Sequence, residues 1–175
     1  WVPPSPNMPS VRTALVYPGG CLIEGTNLSE GRGTTLPFEL VGAPWLDPHA
    51  VAAGLDSERL AGVLSRPATF RPMFHKHAGI ACHGVQLIVT RAEAFEPFLT
   101  YLALIRVVRR LDRRFAWRSA PYEFESERPA IDHLLGVTGL RERLESDEPL
   151  ERLRSGWEPA LDRFAESRRR YLLYD

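Results

Sequence analysis

The residues best suited to chemistry crowd into one run, Glu24-Gly25-Thr26-Asn27-Leu28-Ser29-Glu30-Gly31-Arg32-Gly33-Thr34-Thr35. Two carboxylates, one guanidinium, one amide and four hydroxyls stand among three glycines. Apolar residues at a period of 2 or 3.6 would mark a core element, and they are nearly absent between positions 23 and 36. Glycine lets the backbone take positive φ and come close to a ligand, and the polar groups beside it match the hydrogen-bonding demands of a polyol. Glu24 and Glu30 also fit glycoside hydrolysis, where one carboxylic acid protonates the leaving oxygen and a second carboxylate acts as base or nucleophile. The same composition suits a solvated Ω-loop whose Asn, Ser and Thr cap neighbouring helices, with a carboxylate orienting Arg32. Both readings stand; apolar flanks at Leu15, Val16 and Tyr17 and at Phe38, Leu40 and Val41 anchor the loop and favour function.

Two other constellations compete. His75, His77, Cys82 and His83 form a histidine-rich group. An extended backbone would project His75 and His77 to one side, as metal ligands require. Their spacing matches no zinc pattern and no carboxylate is near in sequence, so no metal and no cofactor is expected. Single imidazoles that bind a substrate hydroxyl or carboxylate are the better functional reading, against hydrogen-bonded structural histidines. Cys82 and His83 are adjacent, but neighbouring strand residues point to opposite faces, so His83 is not placed to activate the thiol. Cys21 and Cys82 are either a disulfide pair or two free thiols. The Gly31-Arg32-Gly33-Thr34-Thr35 run lacks the ending of a phosphate-binding loop.

Elements must position these groups. Trp1-Val2-Pro3-Pro4-Ser5-Pro6-Asn7-Met8-Pro9, with four prolines, runs extended and leaves Trp1 and Asn7 free to line a site. A short strand over 12–17 feeds the loop. Asp47 and Pro48 open a helix that stops near Gly54, followed by a second short helix over 57–64. Residues 69–74 read as an edge strand, because Pro72 cannot donate within a ladder. Residues 84–90 are the clearest strand, with Val85, Leu87 and Val89 on one face and Gln86 on the other. The longest helix spans 95–115, and its Arg109, Arg110, Arg113 and Arg114 form a solvated face rather than a nucleic-acid surface. A short strand at Tyr122-Glu123-Phe124 comes next. Helices begin at Pro129 (ended by Gly136) and around 141–144. One long C-terminal helix, 149–171, docks on the core through Leu150, Leu153, Trp157, Leu161, Phe164 and Tyr171. The expectation is a single α+β domain over residues 1–175, a small mixed sheet with helices packed on it.

With 175 residues the chain can bury one core, and its 22 acidic against 22 basic residues give no bulk attraction to nucleic acid or anionic membrane. No run is long and apolar enough to span a membrane, and no signal peptide is present. Lys76 is the only lysine, which reads as coding bias. Because the chain opens on Trp1 in a Pro-rich segment, it is expected to be a piece of a longer protein.

The run LVYPGGCLIEGTNLSEGRGTTLPFELVGAPW resembles the signature of the exo-β-N-acetylmuramidase family. WVPPSPNMPS, FHKHAGIACHGVQLIVT, PYEFESERPAIDHLLG and RYLLY agree with it too. The resemblance implies an enzyme that removes terminal β-linked N-acetylmuramic acid from the non-reducing ends of peptidoglycan fragments. It implies an N-terminal Rossmann-like domain bearing a catalytic carboxylate, a smaller C-terminal domain like this chain, and an active site between them. Cleft-lining roles carry over to Glu24, Gly25, Asn27, Glu30, Arg32, Thr34 and Thr35, and a second matching segment adds His77, Cys82 and Gln86. His75 and Arg91 depart from the family pattern. Glu24 and Glu30 are the catalytic candidates, and Asn7, Asn27, Arg32, Thr34, Thr35, His77 and Gln86 the substrate-binding ones. Arg32 suits the lactyl carboxylate of muramic acid, since a guanidinium pairs with it through two parallel hydrogen bonds. The implied partners are the muramyl sugar and the N-terminal domain, in a secreted or periplasmic protein. A non-catalytic sugar-binding or interface module is the alternative, and a stand-alone hydrolase using both glutamates a third reading.

Overall fold

A computed structural model of the chain describes residues 1–119, 121, 122, 125 and 127–174. Helix α1 (Val11–Gly20) opens the fold where a strand was expected over 12–17. Ser10 decides the matter: it caps the helix by accepting from the Thr13 amide at 3.1 Å. A single turn of 3-10 helix, Cys21–Gly25, follows and delivers the chain into the polar loop.

The sheet has three strands, β1 (Leu40–Ala43), β2 (Val63–Phe70) and β3 (Cys82–Val89), in the order β1-β3-β2. Both pairings are antiparallel, so the sheet is not mixed. β3, the strand anticipated at 84–90, is central. β2 begins at Val63, so the helix expected over 57–64 does not form. Arg59 and Gly62 both take positive φ there, 52° and 71°, which breaks helical geometry. The proline argument applied to the wrong residue: Pro67 lies inside β2, opposite Val85, and is tolerated because β2 is an edge. Pro72 falls beyond the end of the strand.

Helix α2 (Pro48–Ser57) is capped by Asp47, whose carboxylate accepts from the amides of His49 and Ala50, and it runs through Gly54 to a later end than anticipated. Helix α3 (Pro97–Leu111) is the centre of the domain, with Tyr101, Leu102, Leu104, Ile105 and Val108 fully buried. It meets α1 backbone to backbone at Gly19, where a Cβ would stand 2.1 Å from the Pro97 carbonyl oxygen. Only glycine permits that approach.

Of the short helices α4 (Ala130–Leu135), α5 (Leu140–Glu145) and α6 (Leu150–Ser155), α5 and α6 pack on α3 and α4 packs on the 3-10 turn. Gly136 ends α4 at φ 65°, as anticipated. The strand expected at Tyr122 lies partly outside the described residues; Tyr122 makes an isolated bridge to Glu125. The single long C-terminal helix is corrected. The chain breaks at Gly156 and Trp157 and restarts as α7 (Glu158–Arg168), with Pro159 in its first turn. Leu150 and Leu153 are buried and Trp157 packs edge-on against Phe98, but Leu161, Phe164 and Tyr171 are exposed. No helix among the described residues is long and apolar enough to cross a membrane.

Candidate functional site

The polar loop is shaped by its attachments. Phe38 takes φ 66°, a conformation that costs a non-glycine residue about 1–3 kcal/mol. Its carbonyl accepts from the hydroxyl of the fully buried Tyr101, and its amide donates to the Glu30 carbonyl at 2.6 Å. Gly33, at φ 81°, lets the loop meet residues 73 and 74, and the Met73 amide donates to the Gly33 carbonyl at 2.9 Å. That contact brings His75 and Lys76 over the loop from more than forty residues downstream.

Glu30 lies at the centre with its side chain 0% exposed. Two cationic side chains and an imidazole converge on it: Arg32 Nε at 3.3 Å, Lys76 Nζ at 3.0 Å and His75 Nδ1 at 2.9 Å. A buried carboxylate without such compensation would cost several kcal/mol. Lys76 Nζ also donates to the carbonyls of Ile23 at 2.8 Å and Leu28 at 2.9 Å, tying both ends of the segment that carries Glu24 and Asn27. Burial pushes the Lys76 ammonium below its ordinary pKa, and the charge of Glu30 opposes that shift.

Arg32 joins this buried group to the surface. Its Nη2 bonds to Glu24, and its guanidinium lies over the Phe38 ring, 5.2 Å from the centroid. Side-chain exposure is 24% for Arg32 and 15% for Glu24, against none for Glu30. The second Glu24 oxygen accepts from the Tyr122 hydroxyl at 3.2 Å. Arg32, Phe38 and Tyr17 line a cleft of about 220 Å³ together with Ser5, Asn7 and Met8 of the Pro-rich segment. Burial, and next the charge of Glu24, raise the Tyr17 phenol above its ordinary pKa, so at neutral pH it keeps its hydrogen-bonding proton.

The anticipated residues divide. Glu24, Glu30, Arg32 and Asn7 are brought to one place. Asn27 is engaged at both ends of its amide, donating to the Arg114 carbonyl at 2.7 Å and accepting from the Ala116 amide at 3.1 Å. Thr34 closes a local turn, donating to the Gly31 carbonyl at 2.6 Å and accepting from the Leu36 amide at 3.1 Å, while Thr35 is exposed. Nε2 of His77 stands 2.8 Å from the Asn27 carbonyl. Gln86 is buried in the sheet, where its carbonyl accepts from Arg66.

His75 and His77 are not extended: both have positive φ, 72° and 57°, and their rings turn to Glu30 and Asn27 instead of to a shared ligand. His83 is 3.0 Å from the Thr69 hydroxyl. Among the described residues no three His, Cys, Asp or Glu side chains gather as a metal-ligand set. Cys21 and Cys82 are free, and burial pushes the Cys82 thiol up to about 11, far from a nucleophile's range. Sequence reasoning missed Lys76, Tyr17 and Tyr122. The solitary lysine was the one available signal for Lys76, since a chain otherwise built on arginine keeps its single ammonium at this buried point.

Residues 15–174 match the family model described as exo-beta-N-acetylmuramidase NamZ, C-terminal. The chain is 42% identical over 175 residues to the peptidoglycan beta-N-acetylmuramidase NamZ of Bacillus subtilis (strain 168), covering 99% of this chain and 40% of that protein. Two crystal structures of DUF1343 family proteins from Bacteroides fragilis NCTC 9343 share its fold. One superposes with a TM-score of 0.80 at 23% identity, covering all of this chain and 45% of that one. The other gives 0.65 at 27% identity, with 99% and 44% covered. The chain therefore spans less than half the length of each of these proteins. By its match from residue 15 to residue 174, the chain belongs to the NamZ exo-β-N-acetylmuramidase family and represents the family's C-terminal part.

Proposed function

We propose that this domain forms one wall of the active-site cleft of an exo-β-N-acetylmuramidase, which removes terminal non-reducing β-linked N-acetylmuramic acid from peptidoglycan fragments. The observation that carries the reading is the meeting of Asn7, Tyr17 and Arg32, from three separate segments, around one cleft with Glu24 bonded to Arg32. The second wall is the Rossmann-like N-terminal domain of the same protein, which supplies the other catalytic carboxylate.

Arg32 receives the lactyl carboxylate. Its guanidinium is backed by the Phe38 ring and held by Glu30 through Nε, which leaves the Nη edge as the binding face. A lactyl carboxylate there competes with Glu24 for the same nitrogens. Binding thus releases Glu24 from its ion pair, free to turn toward the glycosidic oxygen or a sugar hydroxyl. Glu30 cannot share that role, because it is wholly enclosed. It works as the fixed negative charge that keeps Arg32 oriented. Asn7 and the Tyr17 hydroxyl supply neutral hydrogen bonds along the rest of the sugar.

Of the two loop glutamates only Glu24 has any exposure, and hydrolysis uses two carboxylates, which favours a split site over a stand-alone hydrolase. The test is release of N-acetylmuramic acid from a chromogenic β-muramide, by this chain alone and by the full-length protein. Silence from the chain with activity in the full-length protein supports the split site. Activity of the chain alone overturns it. Silence in both overturns the muramidase reading and leaves a sugar-binding module. Within an active full-length protein, Arg32→Ala must lose the preference for muramyl over glucosaminyl substrates, or the lactyl assignment fails.

A further inference from the structure

The segment after α3 does not line the cleft just described, yet it is fastened to the polar loop. Trp117 forms an antiparallel bridge with Thr26, and the Arg118 amide donates to the Gly25 carbonyl at 2.8 Å. Arg118 therefore lies opposite the residue that follows Glu24. Its guanidinium stacks over Tyr122, 5.6 Å from the ring centroid, and Nη2 donates to the Pro121 carbonyl at 3.0 Å. Tyr122 in turn donates to Glu24. Glu24 thus stands between two arginines, bonded to Arg32 on the cleft side and reaching Arg118 through Tyr122 on the other. The charge of Arg118 is also felt at Lys76, whose pKa it helps to depress.

Beyond Arg118 opens a hollow of about 340 Å³. Trp117, Pro121 and Pro129 give it apolar walls, and Arg118, Arg128 and Arg141 give it positive charge, with Glu127 as the acidic member of the lining. The three arginines are not equivalent. Arg141 is neutralised by Asp132 at 2.8 Å and Glu142 at 2.7 Å, and Arg128 is 4.0 Å from Glu125. Arg118 is half-buried, and no carboxylate of the described residues pairs with it. A partly desolvated cation gains from a counterion, and a bound carboxylate supplies one through charge-assisted hydrogen bonds. Apolar walls beside a polar fork also fit a sugar ring and its appended acid.

We propose that this hollow is a second carboxylate subsite, on the leaving-group side of Glu24, with Arg118 as its ligand. This rests on the muramidase reading. An exo-acting site has only leaving-group sugars beyond the terminal unit. In a glycan that alternates muramic acid with glucosamine, carboxylates recur on every second sugar. Arg32 takes the terminal lactyl group and Arg118 takes an acid carried by the next muramyl unit, so the domain favours fragments with at least two muramyl residues over shorter ones.

The experiment compares full-length wild type with Arg118→Gln on three substrates. These are a muramyl-glucosaminyl disaccharide, the corresponding tetrasaccharide, and a tetrasaccharide whose inner lactyl carboxylate is reduced to the alcohol. Wild type is expected to show a KM about tenfold lower for the tetrasaccharide than for the disaccharide, the value of one charge-assisted pair. Arg118→Gln should bring the two within about twofold by raising KM more than it lowers kcat, and Arg118→Lys should recover part of the preference. The reduced tetrasaccharide should behave like the disaccharide. A fourth substrate with a peptide stem on the inner muramyl unit separates the two sources of acid, because a preference that follows the stem assigns the subsite to peptide carboxylates. Equal KM values for disaccharide and tetrasaccharide in wild type, or a preference that survives Arg118→Gln, overturns the subsite. If wild type hydrolyses none of them, the muramidase reading fails separately. Calorimetric binding of the tetrasaccharide to wild type and Arg118→Gln then decides, and equal affinity or no binding overturns the proposal.

Discussion

Replacing Lys76 with methionine tests whether the polar loop is held by charge. In the native chain the Lys76 ammonium meets Glu30 Oε2 at 3.0 Å and the carbonyls of Ile23 and Leu28 at 2.8 and 2.9 Å. Methionine has a similar length and no charge, so the variant leaves a wholly buried carboxylate with one fewer counterion and two carbonyls without this donor. Stripping one partner from a buried ion pair costs about 3–5 kcal/mol. Arg32 and His75 still face Glu30, which puts the expected loss at the lower end, about 3 kcal/mol. For a chain of this length that corresponds to a fall in Tm of roughly 6–12 °C. Urea denaturation and thermal melting of the 175-residue chain would measure it. The decisive comparison is the double variant Lys76→Met/Glu30→Gln, which removes the buried charge together with its counterion. It should be more stable than the sum of the single losses by about 0.5–3 kcal/mol. A Lys76→Met loss under about 1 kcal/mol, or strict additivity in the double variant, would refute the claim that Lys76 neutralises Glu30.

Gly19→Ala forces a Cβ into the Pro97 carbonyl, so α1 must move off α3; the expected cost is at least about 1–3 kcal/mol by chemical denaturation. Glu39 is buried beside Thr13, and burial raises its carboxyl pKa above the ordinary value of 4.5. In the window between 4.5 and that raised value the folded chain binds more protons than the unfolded one, so stability falls as pH rises through it. Glu39→Gln should abolish that slope while keeping an acceptor for Thr13, and a stability–pH profile of the two proteins reads it directly. Leu153→Ala should cost about 2–5 kcal/mol because α6 is packed on the core. Phe164→Ser on α7 should stay within about 0.5 kcal/mol, and a larger loss would mean that α7 is docked after all.

Local signals made part of this protein readable from its residues. Asp47 with Pro48 marked the start of α2, the β-branched run from Val85 to Val89 marked the central strand, and the three-to-four rhythm of Leu102, Ile105 and Val108 marked α3. Each is a short-range property: a cap, an alternation and a helical face. The glycine-rich run around Glu24, Glu30 and Arg32 stood out for the same reason, since nothing in it could build a core. Local signals failed where two segments compete or a partner is remote. The residues of α1 suit a strand until Ser10 caps them and α3 offers Gly19 a surface. The C-terminal apolar residues suit one long helix until the chain turns at Gly156 and Trp157, where Pro159 has no amide to continue the ladder, and Leu161 and Phe164 are left facing water.

The division of labour between the two glutamates was beyond any spacing rule. Six residues of loop leave the separation and burial of Glu24 and Glu30 undetermined, because a glycine-rich backbone has many paths of that length. Tertiary contacts chose one. Gly33 docks the loop that carries His75 and Lys76, Lys76 enters between the Ile23 and Leu28 carbonyls, and Glu30 is sealed beneath them. Glu24 and Arg32 remain at the surface. The sequence by itself determined which side chains were available for chemistry, since composition and short-range pattern are written in it. Only the folded chain decided which carboxylate faces solvent and which is locked away, because burial and charge pairing depend on residues more than forty positions apart.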